Sequence, residues 1–117
     1  MKASLREIFF SMNQTLFIEK AEELLRRVED ADELSMADSD RNGNVLAIEF
    51  DSGEQLIINI QSPMQQVWLA SRPTGGFHFS CGEDGAWTDS SGREFWQVLG
   101  EAASLLSGEA VHFQKAA

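Results

Sequence analysis

The stretch VLAIEFDSGEQLIINIQ, residues 45–61, decides the architecture. Leu46, Ile48 and Phe50 alternate with Ala47, Glu49 and Asp51. After the turn residues Asp51-Ser52-Gly53-Glu54, Leu56, Ile58 and Ile60 alternate with Gln55, Ile57, Asn59 and Gln61. A period of two with one apolar side is the pattern of a half-buried strand, and two such runs joined by an Asp-Ser-Gly turn predict an antiparallel hairpin. Downstream, Pro63 stops the second strand and Val67 and Leu69 begin a third. Gly75-Gly76 turns into Phe77-His78-Phe79, and Asp84-Gly85 turns into a strand around Trp87. Every connection is short, so all neighbours are expected to be antiparallel.

Outside this block the period changes to that of a helix. Phe17, Ala21, Leu24, Leu25, Val28 and Ala31 draw one stripe at steps of three and four, predicting a helix that Ser11 with Gln14, Asn13 or Thr15 can cap and that ends near Glu33. Glu22 with Arg26, and Glu23 with Arg27, are opposite charges four apart. Phe95, Leu99, Ala102, Ala103 and Leu106 return to helical spacing before Gly108, and a short extended tail, Val111 to Phe113, follows. Helix, five to six strands, helix predicts an α+β two-layer sandwich. Both helices lie on one face of an antiparallel sheet, and the other face meets water. Residues 12–117 form a single domain in this reading, with 1–11 as an N-terminal extension.

Composition narrows the function. Nineteen acids against nine bases give a net charge of −10, which opposes nucleic-acid binding. The 43% apolar content suits one folded core rather than a disordered acidic tail. No apolar run nears the roughly 18 residues of a membrane helix. One cysteine, Cys81, permits no internal disulfide. Residues 1–54 hold 13 acids and 6 bases, and the twelve residues Glu29 to Asp40 hold six acids and no base. The six, Glu29, Asp30, Asp32, Glu33, Asp38 and Asp40, read either as a solvated helix end and loop or as a site for a hard cation or a basic protein surface, bounded upstream by Arg26 and Arg27.

Strand parity gives a second candidate surface. If Leu56, Ile58, Val67 and Leu69 face the helices, then Ile57, Asn59, Gln61, Gln66 and Trp68 face away from them; a solvent-facing tryptophan among amides is what a docking surface needs, the alternative being that a loop or the C-terminal tail folds over Trp68. Trp87 and Trp96 fall near inward positions. No nucleophile–base motif, phosphate loop or histidine-pair zinc motif occurs, and parity separates His78 from Cys81. Asp38, Asp40, Asn42, Gly43 and Glu49 do match the spacing of an EF-hand calcium loop at 38–49. The period-two run that follows opposes the exiting helix such a loop requires.

The runs NIQSPMQQVWLASRPTGGFHF (59–79), VLAIEFDSGEQLIINI (45–60) and WTDSSGREFWQVLGEAA (87–103) resemble the frataxin family in its bacterial, CyaY-type form. The likeness extends from Met12 to Phe113, and the P-x-x-Q-V-W-L-A run followed by G-G-x-H-F is its most specific part. The resemblance implies a frataxin-like sandwich and an iron-binding regulator, or iron chaperone, of iron-sulfur cluster assembly. It implies docking on the cysteine desulfurase and scaffold protein, weak binding of ferrous or ferric iron at surface carboxylates, and no catalysis. It places Glu29, Asp30, Glu33, Asp38 and Asp40 on the family's acidic ridge, and Asn59, Gln61, Gln66 and Trp68 on its sheet-face signature. It further implies a bacterial cytoplasmic protein, monomeric but able to oligomerise with iron. A ferroxidase or iron-storage role is the alternative from the enzyme class.

Overall fold

The computed structural model describes residues 13–113; the expected extension 1–11 lies outside them. Helix α1, Gln14–Glu29, starts at Asn13, whose Oδ1 accepts a 2.8 Å hydrogen bond from the Leu16 N–H. An asparagine here stabilises a helix start by about 1 kcal/mol. Phe17, Ala21, Leu24, Leu25 and Val28 are buried along one stripe. The helix ends four residues before the expected Glu33. Ala31 is extended (φ −72°, ψ 120°), and Asp32–Leu34 form a single 3₁₀ turn. The cause is Leu34. Six residues beyond Val28, a continuing helix would rotate it far from the buried stripe, whereas the break delivers its side chain into the core.

Six strands follow in one antiparallel sheet whose spatial order is the chain order: β1 Asp38–Asn42, β2 Val45–Glu49, β3 Gln55–Gln61, β4 Gln66–Ser71, β5 Gly75–Cys81 and β6 Trp87–Thr88. Gly43 (φ +62°) and Asn44 make the two-residue turn between β1 and β2. Of the two, only glycine takes the positive φ that a type II′ hairpin turn needs at its first central position. The turn before β5 lies at Arg72-Pro73-Thr74 rather than on the glycines. The Ser71 and Thr74 hydroxyls bond each other there, and the Thr74 N–H donates to Ser71 Oγ at 3.2 Å. The stretch that matches EF-hand spacing is this β1–β2 hairpin, with Asp38 opposite Glu49 and Asn42 opposite Val45. No helix leaves it, so the calcium-loop match is a coincidence of strand and turn residues.

Helix α2, Phe95–Ser107, is capped by Glu94 at its start and by Gly108 (φ +76°) at its end. It buries Phe95, Val98, Leu99, Ala102, Ala103 and Leu106. Both helical stripes join Leu46, Ile48, Leu56, Ile58, Ile60, Val67, Leu69 and Phe79 in one core. The Phe79 and Phe95 rings meet edge to face at 5.3 Å, as do Phe17 and Trp87 at 6.1 Å. Trp87 is buried as expected, while Trp96 is half-buried under Phe113 of the tail, with centroids 5.1 Å apart. The tail seats because position 100 lacks a side chain: a Cβ on Gly100 would lie 3.1 Å from the Val111 carbonyl oxygen. Ser104 Oγ accepts the Val111 N–H at 2.8 Å and donates to the Gly100 carbonyl at 2.8 Å.

Candidate docking surface

Cross-strand register sets which side chains share a face. Directly paired residues point the same way, and the pairs run Asn42–Val45–Asn59–Trp68–His78 in one row and Asp40–Ala47–Ile57–Ala70–Gly76 in the next. Asp38–Glu49–Gln55 forms a third row, and Gln61–Gln66 a fourth. These rows lie opposite the buried Leu46, Ile58 and Leu69, on the face turned from the helices. Sequence parity had predicted Asn59, Gln61, Gln66 and Trp68 there. It had not joined them to Asp38 and Asp40, which the hairpin places on the same surface together with Glu49.

Trp68 is half-buried, and among the described residues a neighbour on its own face packs against its ring. The His78 imidazole stacks on the indole with centroids 4.1 Å apart and planes 9° from parallel. Trp68 Nε1–H donates to Gln66 Oε1 at 2.8 Å. Stacking and hydrogen bond together restrict the ring's orientation, which lowers the entropy cost of presenting it to a partner. Beside it a hollow of about 480 Å³ is lined by Gln66, His78, Ser80, Thr88, Asp89 and Arg93, among others. Arg93 is fixed there by Asp89, at 2.9 Å, and by the Phe77 ring below its guanidinium.

The helix side of the acidic region is different. Arg41 sits at an inward register position, beside Leu46, on the outermost strand. Its guanidinium reaches under α1 to Glu22 at 2.5 Å and Glu29 at 3.1 Å, while its Nε donates to the Gly43 carbonyl at 2.7 Å. Burial disfavours the charge, but the two carboxylates outweigh it and raise the Arg41 pKa. Glu22 thus pairs with Arg41 rather than the expected Arg26, while Arg27 keeps its expected contact with Glu23 at 3.8 Å. Arg41 was legible as a charge at inward parity, a position that calls for a counter-ion across the layer.

The five ridge residues are therefore divided. Glu29 is neutralised beneath the sheet edge, Asp30 caps α1, Glu33 lies in the 3₁₀ turn, and Asp38 and Asp40 project on the open face. Among the described residues no three His, Cys, Asp or Glu side chains converge into a group that could hold a metal ion. What the surface offers a cation is a field rather than a cage. Asp38 and Glu49 stand directly across the β1–β2 ladder with Asp40 one row on, and like charges so placed repel each other and favour an incoming positive group.

The family model described as a frataxin-like domain matches residues 4–109. The chain belongs to the frataxin family and is of the bacterial CyaY type. A protein of Paraburkholderia xenovorans named iron-sulfur cluster assembly protein CyaY is 41% identical over 106 residues, covering 88% of this chain and 99% of that one. A Ralstonia pickettii protein of the same name is 43% identical over 89 residues, covering 71% and 77%. Among solved structures, the frataxin of Psychromonas ingrahamii superposes with a TM-score of 0.79 at 39% identity, covering 89% of this chain and all of that one. Trimeric frataxin of Saccharomyces cerevisiae, complexed with ferrous iron, shares the frataxin fold at 22% identity and a TM-score of 0.61, covering 85% and 89%. Among the described residues, no helix is long and apolar enough to cross a membrane.

Proposed function

We propose that this CyaY-type frataxin is a non-catalytic, iron-binding regulator of iron-sulfur cluster assembly in the bacterial cytoplasm, docking on the cysteine desulfurase and scaffold proteins. The observation that carries the reading is the sharing of one sheet face by Asp38, Asp40 and Glu49 with Asn59, Gln61, Gln66 and Trp68. A partner approaching that face meets negative charge at one edge and a flat, pre-oriented indole in the middle. The first steers a basic surface and the second anchors it. Glu29, Asp30, Glu33, Asp38 and Asp40 take part in weak iron binding as surface carboxylates, hard oxygen donors suited to ferrous and ferric ions. Iron is cargo here, exchanged quickly because nothing encloses it. In this reading the protein is a monomer able to oligomerise with iron.

The test is desulfurase turnover with purified partner, comparing wild type with Asp38→Asn/Asp40→Asn and with Trp68→Ala. Both variants are expected to lose the effect on turnover while remaining folded. An effect of full size in both would refute the docking surface.

A further inference from the structure

The backbone of β1 offers a second means of recognition. The Ile60 N–H donates to the Asn44 carbonyl at 2.9 Å, which fixes the phase of the β2–β3 ladder. The even-numbered residues of β2 then bond to β3, and Val45, Ala47 and Glu49 bond to Asn42, Asp40 and Asp38 of β1. The type II′ turn at Gly43-Asn44 demands the same phase, because the residues flanking a two-residue hairpin loop form a hydrogen-bonded pair. Ser39 and Arg41 consequently direct their N–H and C=O groups away from the sheet. β1 is the terminal strand, and Asp38, Ser39, Asp40 and Asn42 are exposed. Nothing among the described residues pairs with this edge.

We infer that β1 is an acceptor edge for an extended segment of a partner protein carrying Lys or Arg at alternate positions, added antiparallel as a seventh strand. The inference deepens the docking proposal and rests on its basic partner. In such an addition the incoming residues opposite Ser39 and Arg41 exchange backbone hydrogen bonds with them. Those opposite Asp38 and Asp40 occupy the non-hydrogen-bonded positions, where side chains approach most closely, and project onto the open face. Cations at every second position therefore meet Asp38 and Asp40. On the other side of the strand, Arg41 is already neutralised by Glu22 and Glu29, so the helix side asks for no charge. The same two aspartates set like charges against each other if a second copy of β1 approaches, so the edge discriminates against self-pairing.

The experiment uses the full chain and the probe acetyl-Thr-Lys-Thr-Lys-Thr-Lys-Thr-amide, its N-methyl-threonine analogue of equal charge, and purified cysteine desulfurase. The probe should slow hydrogen exchange of the Ser39 and Arg41 amides. N-methylation should weaken binding by about tenfold, as for the loss of one or two net hydrogen bonds. Ser39→Pro should do the same, since proline is tolerated where an edge N–H faces solvent. An N-methylated probe that binds as tightly as its parent, a parent probe that does not bind, or unprotected Ser39 and Arg41 amides in the complex would overturn the inference. A dimer of the free chain in sedimentation, abolished by Ser39→Pro, would assign the edge to a second copy and also overturn it. Desulfurase that binds wild type and Ser39→Pro alike, with both amides still exchanging freely, removes the edge but leaves the docking reading standing. Desulfurase that does not bind at all removes the docking reading, while the peptide arms still decide the edge.

Discussion

Arg41→Gln removes the one cation that, among the described residues, ties the outermost strand to helix α1. The guanidinium is 22% exposed, and its carboxylate partners Glu22 and Glu29 are 35% and 29% exposed. Fully exposed ion pairs contribute about 0.2–1 kcal/mol, and hydrogen bonds to charged groups roughly 1.5–3 kcal/mol. These contacts lie between the two cases and solvent screens them in part. The substitution also leaves Glu22 and Glu29 facing each other without a counter-ion. The expected loss is about 2 kcal/mol, or a fall in melting temperature of about 8 °C for a domain of this size. Urea unfolding followed by tryptophan fluorescence should show a lower midpoint with unchanged slope. The deficit should shrink in 0.5 M salt, because screening weakens both the lost attraction and the new repulsion. A loss below about 0.5 kcal/mol at low salt would refute this account of how β1 is held. Equal losses at low and high salt would refute its electrostatic origin.

Three further outcomes follow from the packing and titration of other groups. Gly100→Val drives a side chain into the Val111 carbonyl and should cost roughly 2 kcal/mol, with a red shift of Trp96 emission as Phe113 lifts; unchanged emission would refute the role of position 100. Burial works against the Asp89 carboxylate. The Arg93 and Ser91 N–H groups and the Arg93 guanidinium prevail, however, and hold its pKa below the ordinary 3.8. Its contribution to stability is then complete above that ordinary value and disappears as pH falls through the lower folded-state value, so Asp89→Asn should be less stable than wild type at pH 6 and equally stable near pH 2. Burial pushes the Cys81 thiol up from 9.0, with Asp84 reinforcing and Lys20 opposing, so its alkylation at pH 8 should be slower in the folded chain than in urea; equal rates would contradict the buried setting.

The hairpin at 45–61 was legible because period two leaves no alternative assignment for Leu46, Ile48, Leu56 and Ile58 once a turn stands between them. Trp68 was placed on the open face by the same parity. The end of α1 was not legible: the acidic run offers no cap signal at Asp30, and only the tertiary demand for burying Leu34 stops the helix. Arg41 shows what a count of charge along the chain does not see. Charge counted along the chain cannot distinguish a carboxylate facing solvent from one facing a guanidinium across a layer, and the six acids between Glu29 and Asp40 straddle both sides of the sheet edge. The register from β1 through β4 separates Glu29 from Asp38 and Asp40 and unites the latter with Trp68. The His78–Trp68 stack likewise depends on the β4–β5 register.

In the proposed function, one face combines steering charge and an aromatic anchor for the desulfurase. Calorimetric titration of purified desulfurase with wild type, Asp38→Asn/Asp40→Asn and Trp68→Ala, at two salt concentrations, tests it most directly. Trp68→Ala is expected to weaken binding about thirtyfold at both salts, as for a hot-spot residue. The aspartate variant should weaken binding mainly at low salt and flatten the salt dependence. Affinities of all three proteins that agree within error at both salts would contradict it.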